Sequence, residues 1–324
     1  MIRSGLINRA SKYLGNGKIN YLLYGFTFFA ISRTNMYSNK IFYSLAKKIK
    51  HKSTSPKVEV NGSLMYIDLN DNGISKQLYI HRKREHFSTD YIQSFLDDDE
   101  IVIDVGGNIG YYALMESRLA NEGKVYVVEP IPSNFNILSK NIELNNRKNI
   151  FVFQLAMGDA NTKGKMYVYD KCNLCSFTKD LNEKIIGEIE VPIITLDSFV
   201  KSYMDKKPTF IRMDAEGYEY QILKGASTIL KEGGPLKLCI ELHSHLMSKE
   251  NMDEIITSLK QNGFKVMSIF IEPDPANYHS SETLSKLAKL LGDPEFGFVG
   301  NNYESLTKIL DRRSYAPIVF FEKT

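Results

Sequence analysis

The chain has few cysteines, little net charge and no long apolar run, and each absence excludes a class of protein. Its 324 residues include three cysteines, too few and odd in number for a disulfide framework, which favours a reducing compartment. A formal net charge of +3 provides no strong field for nucleic acid. With 43% hydrophobic and 24% charged residues, the composition is that of a globular protein and excludes collagen-like and disordered chains.

Two local features do not change this conclusion. Cys172-Asn173-Leu174-Cys175 has the spacing of a redox or zinc pair, but a tetrahedral zinc site needs a second pair, which the sequence lacks. We therefore predict no metal at this pair. The basic runs Lys47–Lys52 and Arg82-Lys83-Arg84 are interpreted as solvated surface.

Residues 1–55 are predicted to form a helical segment rich in basic and aromatic residues. Its apolar run, Tyr21–Ile31, is too short to span a bilayer, which takes about 20 apolar residues. A signal peptide is disfavoured because Gly25 and Thr27 interrupt the run and no good cleavage site follows it. We expect a cytoplasmic protein in which this segment packs on the core or contacts a membrane surface peripherally.

The rest of the chain divides into a lead-in at 56–96 and an alternating α/β domain at 97–324. The lead-in is predicted to contain a β-hairpin turning at Asn61-Gly62 and a helix around Asp90–Leu96. Within the domain, 160–193 is predicted as a β insertion and 272–312 as a partly helical one. The predicted helices run from Tyr111 to about Ala120, Ser133 to about Asn145, Tyr218 to Leu230 and Met252 to Asn262. The predicted strands are Ile101–Val105, Lys124–Val128, Ile150–Leu155, Phe210–Met213, Leu236–Glu241, Phe264–Ile269 and Pro317–Phe321.

Strands alternating with helices indicate a mostly parallel sheet with helices on both faces, whose ligands bind where loops leave the carboxyl ends of the strands. The loop after the first strand is Asp104-Val105-Gly106-Gly107-Asn108-Ile109-Gly110. Gly106 and Gly107 carry no side chain, so a ligand can approach the backbone around Asn108. Gly110 lets the next helix pack closely. Asp104 is positioned to accept a hydrogen bond from the amino group of a bound amino acid.

Glu129 ends the second strand, where an acid can accept both ribose hydroxyls of a nucleoside cofactor. The dinucleotide fingerprint requires glycines at i, i+2 and i+5. Counting from Gly106, the later positions are Asn108 and Tyr111, so the fingerprint fails. The loop therefore favours S-adenosylmethionine over NAD, and a tight turn without a ligand remains the alternative.

Seven blocks of sequence follow one another along the chain: 104–112, 129–135, Lys140-Asn141 to Asn145, 156–159, 195–197, 212–219 and Glu241-Leu242-His243. Together they resemble the FkbM-type methyltransferases. The resemblance implies a Rossmann-like class I methyltransferase fold of seven mostly parallel strands, the last but one in sheet order antiparallel, with an N-terminal helical and β extension. It departs from the family at Arg212, where a lysine is usual, and at Gly107, where alanine or another small residue is usual.

The resemblance further implies transfer of a methyl group from S-adenosylmethionine, leaving S-adenosylhomocysteine, to an oxygen of a glycan or another small hydroxylated acceptor. We expect adenine against Ile131, Ala156 and Met157. Attack by a hydroxyl requires a base, and the candidates Asp214, Glu216 and His243 follow the fourth and fifth strands.

His243 titrates closest to neutrality and is the preferred base, with a structural hydrogen-bonded histidine as the equal alternative. Asp214 is also a candidate for orienting the cofactor. No metal is predicted, although Asp214, Glu216 and Glu241 together could provide oxygen ligands.

Two other functions stay open. A nucleic-acid methyltransferase is disfavoured because Asp214-Ala215-Glu216-Gly217 lacks the proline and aromatic residues of amino-methylating enzymes, and because an acidic mouth repels phosphate. The other is a membrane-associated protein that binds S-adenosylmethionine, or a scaffold, without turnover, since a fold does not prove an activity. We expect a small-molecule or glycan partner and no nucleic acid.

Overall fold

The structure is a computed structural model that describes residues 56–71, 73–169, 175–177, 185–272, 297–313 and 316–324. The predictions for residues 1–55, for Cys172 and for most of the insertion between 272 and 297 lie outside the described residues. In the described part of the chain, no helix is long and apolar enough to cross a membrane.

The described strands follow the predicted alternation closely. They are β1 Lys57–Val60, β2 Ser63–Tyr66, β3 Ile101–Val105, β4 Lys124–Val128, β5 Ile150–Phe153, β6 Ala156–Gly158, β7 Thr162–Tyr169, β8 Ile185–Thr195, β9 Phe210–Met213, β10 Leu236–Glu241, β11 Lys265–Ile271, β12 Gly297–Gly300 and β13 Ile318–Lys323.

The described helices lie between these strands. They are α1 Ile74–His81, α2 His86–Phe95, α3 Tyr111–Leu119, α4 Pro132–Leu144, α5 Leu196–Tyr203, α6 Glu219–Lys224, α7 Ser227–Lys231, α8 Lys249–Gln261 and α9 Tyr303–Arg312.

The large sheet has the strand order β12-β11-β13-β10-β9-β3-β4-β5. Strands β5, β4, β3, β9 and β10 run parallel, whereas β13 is antiparallel to both of its neighbours, β10 and β11. In this mostly parallel sheet, β13 and β12 run opposite to the other strands, and the arrangement confirms the predicted class I methyltransferase architecture. The carboxyl ends of β3, β4, β9 and β10 consequently meet at one edge.

Among the described residues the large sheet has eight strands, one more than predicted, and the antiparallel β13 is third from the edge instead of last but one. β12, four residues of sequence Gly-Phe-Val-Gly, extends the sheet by pairing antiparallel with β11. A strand this short with a glycine at each end lacks the alternating pattern that identifies a strand in sequence.

Successive residues of each central strand enter opposite faces of the sheet, and both faces are covered. Ile103 and Tyr126 lie in a core cluster that includes residues of α5, α6, α8 and α9, whereas Val102 and Val127 lie in the second cluster with α1 to α4. The hairpin β1–β2 contributes Val58 to this second cluster. The lead-in thus covers one face of the sheet and reaches the functional edge.

The predicted helix from Tyr218 to Leu230 is two short helices, α6 and α7, separated at Gly225-Ala226. A Cβ on Gly225 would lie 2.0 Å from the carbonyl oxygen of Gly158 in β6. This backbone contact leaves no room for a side chain, and the chain bends where the helix passes β6. The helical periodicity of the sequence cannot predict this break, because the contact joins Gly225 to Gly158, a residue far away in the chain.

Three predicted helix starts also shift. Ile131, rather than Ser133, is the N-cap of α4, because Pro132 is favoured as the first helical residue. Ser248 caps α8 by accepting a hydrogen bond from the backbone of Asn251, so α8 begins at Lys249. Helix α2 begins at His86, before the predicted Asp90.

The predicted β insertion forms a small sheet beside the large one. β7 and β8 are an antiparallel pair, and β6 adds parallel to β8. Val191 and Met166 of this sheet pack with Ile131 and Ala156 in a third, smaller apolar cluster. The insertion therefore borders the loops that follow β4 and β5.

Candidate active site

The glycine loop is held against the strand ends by close backbone contacts. The backbone N–H groups of Gly106 and Gly107 both donate to the carbonyl oxygen of Val128, at 3.0 and 3.1 Å. Gly106 has φ +85°, and a Cβ there would lie 2.0 Å from the carbonyl oxygen of Asp214. The missing side chain at Gly106 thus serves contact between β3 and β9 as well as ligand approach. A Cβ on Gly110 would lie 2.8 Å from Cδ1 of Leu138 in α4, so the glycine allows close contact with that helix.

Gly107 supports a prediction on stability. Its φ suits any residue, but a Cβ there would lie 2.1 Å from Cγ1 of the buried Val127. We expect Gly107→Ala to lower the free energy of unfolding by about 1–3 kcal/mol through overpacking. Denaturant unfolding measures this loss. Adding Val127→Ala should recover part of it, and Gly187→Ala, which meets open space, is the neutral control. Additive effects of the two core substitutions would contradict the clash.

Glu129 joins the glycine loop to the end of β4. Its Oε2 accepts a hydrogen bond from the backbone N–H of Asn108 and its Oε1 one from Ile131, both at 2.8 Å. Burial raises the pKa of Glu129 to about 7, against these hydrogen bonds. The side chain of Asn134 also hydrogen-bonds this carboxylate, and Glu129 lines the cleft.

Asp104 lies beneath the cleft rather than on its wall. Its side chain is fully buried, and Oδ1 accepts a hydrogen bond from Nη1 of Arg212 at 3.0 Å, while Oδ2 has no hydrogen-bond partner among the described residues. Arg212 also pairs with Asp214 at 3.3 Å and stacks 3.8 Å above the ring of Tyr112. The cation beside Asp104 is therefore Arg212 of the chain itself. The predicted contact of Asp104 with a bound amino group stays a prediction.

These groups surround a cleft of about 830 Å³, mouth included, within the roughly 300–1,000 Å³ of small-molecule sites. Asp104, Gly110 and His243 do not line it. The predicted site residues that do line it are Gly106, Gly107, Asn108, Glu129, Ile131, Ala156, Met157, Asp214 and Glu216.

The cleft also contains residues that sequence reasoning missed. Arg84 and Glu85 line it from the lead-in, and their side chains are only 15% and 10% exposed. The interpretation of Arg82-Lys83-Arg84 as solvated surface was therefore wrong for Arg84. Phe177, between β7 and β8, stacks on Tyr218 with a centroid distance of 4.5 Å and lines the same cleft. The segment around Gly73-Ile74-Ser75 and Arg84-Glu85 resembles the lead-in of archaeal FkbM-type members, which was a signal for this pair, and no signal marked Phe177.

His243 lies immediately behind the cleft within a group of carboxylates. Its side chain is 6% exposed, and Nδ1 lies 2.8 Å from Oε1 of Glu219, a fully buried residue. Nε2 faces Oε2 of Glu216 at 3.4 Å and Oε1 of Glu241 at 3.8 Å. Oε1 of Glu219 also accepts hydrogen bonds from the backbone N–H groups of Ala215 and Gly217, each at 3.2 Å. Glu219 thus holds the loop and the imidazole together.

Electrostatics in this group favour bound protons at neutral pH. Burial opposes the imidazolium, but Glu216, Glu219 and Glu241 outweigh it and raise the pKa of His243 well above its ordinary value. Burial raises the pKa of Glu216 to about 8, although His243 works in the opposite direction. Glu216 and His243 therefore share protons that leave as the pH rises above neutrality.

One set of described residues has the spacing of metal ligands. Single ligand atoms of Asp214, Glu216 and His243 lie within 4.8 Å of one another. His243 thus takes the place of Glu241 in the oxygen-ligand set considered from the sequence. A hydrogen-bonded cluster of acids and histidine has the same geometry, and the prediction of no metal stays a prediction.

Known proteins are similar to this chain in sequence and in fold. Methyltransferase 1 of Beauveria bassiana is 27% identical over 147 residues, which cover 40% of this chain and 59% of that protein. Hexuronic acid methyltransferase AglP of Haloferax volcanii is 26% identical over 174 residues, which cover 51% of this chain and 69% of that protein. M. jannaschii TYW2, solved in complex with AdoMet, has a TM-score of 0.44 at 13% identity and covers 84% of this chain and 87% of its own. With a TM-score this low, the fold assignment depends on the strand order and not on this similarity.

A family model described as the methyltransferase FkbM domain matches residues 104–266, half of the chain. The match begins at Asp104 and includes the glycine loop, Glu129, the Asp214–Glu219 segment and His243. It confirms the resemblance seen in the sequence. The chain belongs to the FkbM methyltransferase family.

Proposed function

We propose that the protein is an S-adenosylmethionine-dependent O-methyltransferase acting on a hydroxyl, or a carboxyl, of a glycan or another small hydroxylated acceptor. One observation carries the proposal: the glycine loop and Glu129 share a cleft with Asp214 and Glu216, and His243 lies directly behind these acids. A nucleoside site and a base are thus adjacent, as methyl transfer to oxygen requires.

The residues of the cleft fit the methyl donor. Glu129 is placed for the ribose hydroxyls, and Ile131, Ala156 and Met157 form an apolar wall for adenine. Phe177 packs with Ile131 and Ala156, so we add it to this wall. When bound, the donor supplies a methyl group on a sulfonium.

The protein then has two tasks, alignment and proton removal. A cleft that fixes donor and acceptor in line converts a bimolecular displacement into an intramolecular one. The attacking oxygen loses its proton to the Glu216–His243 pair, at Oε2 of Glu216 or through it to Nε2 of His243. Glu219, bonded to Nδ1, fixes the ring so that Nε2 points toward Glu216 and Glu241.

The similarity to a hexuronic acid methyltransferase supports a sugar acceptor. An acceptor bearing several hydroxyls and a carboxyl could be methylated at either group. Methyl esters hydrolyse in mild alkali and methyl ethers do not. Mass spectrometry of uronic-acid and neutral-sugar oligosaccharides, before and after alkali, therefore identifies both the acceptor class and the oxygen methylated.

Calorimetry tests the donor directly. We expect heat on titration with S-adenosylmethionine or S-adenosylhomocysteine and none with NAD. No heat with any of them would refute the cofactor assignment. Binding without methyl transfer to any glycan fraction would favour the scaffold alternative.

A nucleic-acid substrate remains the second alternative and is disfavoured by charge. The described residues that line the cleft include Glu85, Asp214 and Glu216, which repel phosphate. Methyl incorporation into RNA or DNA at a rate equal to that into sugars would reverse this preference.

Peripheral membrane contact through residues 1–55 is a separate proposal, based on the aromatic run followed by the basic run in the sequence. Co-sedimentation with anionic vesicles tests it. Equal recovery of the full chain and a variant lacking residues 1–55 would rule it out.

Glu219→Gln is expected to lower the pKa of His243 by at least about one pH unit, because it removes a buried negative charge 2.8 Å from Nδ1. Glutamine keeps an oxygen for the N–H groups of Ala215 and Gly217. Histidine ring resonances followed by NMR over pH report the value, and His243→Gln assigns the signal among the six histidines. Glu254→Gln, on α8, is the control and should leave it unchanged. An unchanged value in Glu219→Gln would show that Glu219 does not stabilise the imidazolium.

A further inference from the structure

The lead-in holds Arg84 firmly against the start of α3. The backbone N–H of Arg84 lies 3.0 Å from the hydroxyl of Tyr111. Its carbonyl oxygen accepts hydrogen bonds from the hydroxyls of Tyr111 and Thr89, at 2.9 and 3.0 Å. Tyr111 directly follows Gly110, so Arg84 is anchored to the glycine loop's own helix. Arg84 itself lies outside residues 104–266, the part matched by the family model.

The side chain of Arg84 is fixed by its neighbour and only partly used. Nε and Nη2 donate to Oε1 of Glu85 at 3.0 and 2.6 Å. Oε2 of Glu85 accepts from the hydroxyl of Tyr112 at 2.5 Å. Glu85 has φ +43°, a conformation that costs a non-glycine residue about 1–3 kcal/mol and persists only where its surroundings impose it. No hydrogen bond to Nη1 of Arg84 occurs among the described residues.

The charges around the cleft make this guanidinium unusual. Among the described residues that line the cleft, the cations are Arg84 and Arg212, and the acids are Glu85, Glu129, Asp214 and Glu216. Arg212 already donates through Nη1 to Asp104 and through Nη2 to Asp214. An anion that enters this acidic cleft therefore finds its available donor edge on Arg84.

We propose that Arg84 binds the α-carboxylate of the methyl donor's amino-acid portion. The inference rests on the proposed function, which requires a zwitterionic amino acid to lie in the cleft. The donor is favoured over a carboxylate on the acceptor because Arg84 is tied through Tyr111 to the loop expected to hold the donor. A planar guanidinium also matches a carboxylate in geometry.

Calorimetry with two ligands tests this assignment: S-adenosylhomocysteine and its decarboxylated analogue, which keeps the amine. The wild-type protein should bind S-adenosylhomocysteine about 10- to 100-fold more tightly than the analogue. Arg84→Gln should abolish most of that difference by weakening only the carboxylate-bearing ligand. Arg84→Lys should retain part of it, because lysine keeps the charge but not the planar donor edge.

Lys83→Gln is the matched control, since it removes a neighbouring positive charge that pairs with Asp90 and does not line the cleft. Thermal unfolding checks that the variants fold. If Arg84→Gln does not fold, the binding ratio of Arg84→Lys decides the test. Equal weakening of both ligands, or unchanged binding of both, would overturn the assignment. Absence of binding of either ligand to the wild type would instead refute the proposed function, and this inference with it.

Discussion

Replacing His243 with glutamine is expected to lower kcat by about 10²- to 10⁴-fold, the usual contribution of a positioned base. The affinity for S-adenosylhomocysteine should stay close to that of the wild type, because His243 does not line the cleft and contacts it only through Glu216. Single-turnover methyl transfer measures the first quantity and calorimetry the second. His81→Gln, on α1 and away from the cleft, is the control.

The pH dependence distinguishes a base from a structural histidine. Because carboxylates raise the pKa of His243 and burial raises that of Glu216 to about 8, the pair still carries a proton at neutral pH. The base form appears as that proton leaves, so the activity of the wild type should increase as the pH rises through about 8. In His243→Gln this increase should move to higher pH, because the imidazolium that lowers the pKa of Glu216 is gone. If His243→Gln kept the wild-type rate and the wild-type pH dependence, His243 would have a structural role.

Replacing Glu129 with alanine is expected to weaken binding of S-adenosylhomocysteine by at least about 100-fold. The substitution removes the acceptor for the ribose hydroxyls and releases the N–H groups of Asn108 and Ile131 that shape the loop. Calorimetry measures the change. Glu122→Ala, at an exposed glutamate just before β4, is the matched control. Wild-type affinity in Glu129→Ala would exclude Glu129 from the donor site.

The pKa of Glu129 adds a second test of the same site. Since burial raises it to about 7, the carboxylate becomes protonated as the pH falls through that value and loses an acceptor. Affinity of the wild type for S-adenosylhomocysteine should therefore decrease below about pH 7. The Glu129→Ala variant should not show this decrease, and an identical decrease in both proteins would assign it to another group.

Much of the donor side of the cleft was predictable because its signals are local. A β-branched strand, two glycines, a helix and a strand ending in Glu129 follow one another within thirty residues of chain. Parallel strands bring their carboxyl ends to one edge whatever the rest of the fold does. Asp214 and Glu216 joined the same edge for the same reason. His243 also lies at this edge, although it is behind Glu216 and does not line the cleft.

The charged partners of these residues were not predictable in this way. Arg84 enters the cleft from a helix boundary in the lead-in, and Glu219 reaches His243 from the first turn of α6. Each contact depends on how two distant segments pack. A composition rule treats Arg82-Lys83-Arg84 as surface, because it cannot detect that Tyr111 and Thr89 fix the backbone of Arg84.

Asp104 shows where sequence and tertiary structure divide. The sequence by itself determined a buried strand ending in an acid and a glycine loop, and hence a nucleoside-type site with Glu129 opposite it. Only the tertiary structure decided what Asp104 faces. β3 pairs with β9 in a register that sets Asp104 beside Arg212, 108 positions later in the chain. A fully buried carboxylate next to a guanidinium forms an ion pair, because no water is available there to solvate either charge.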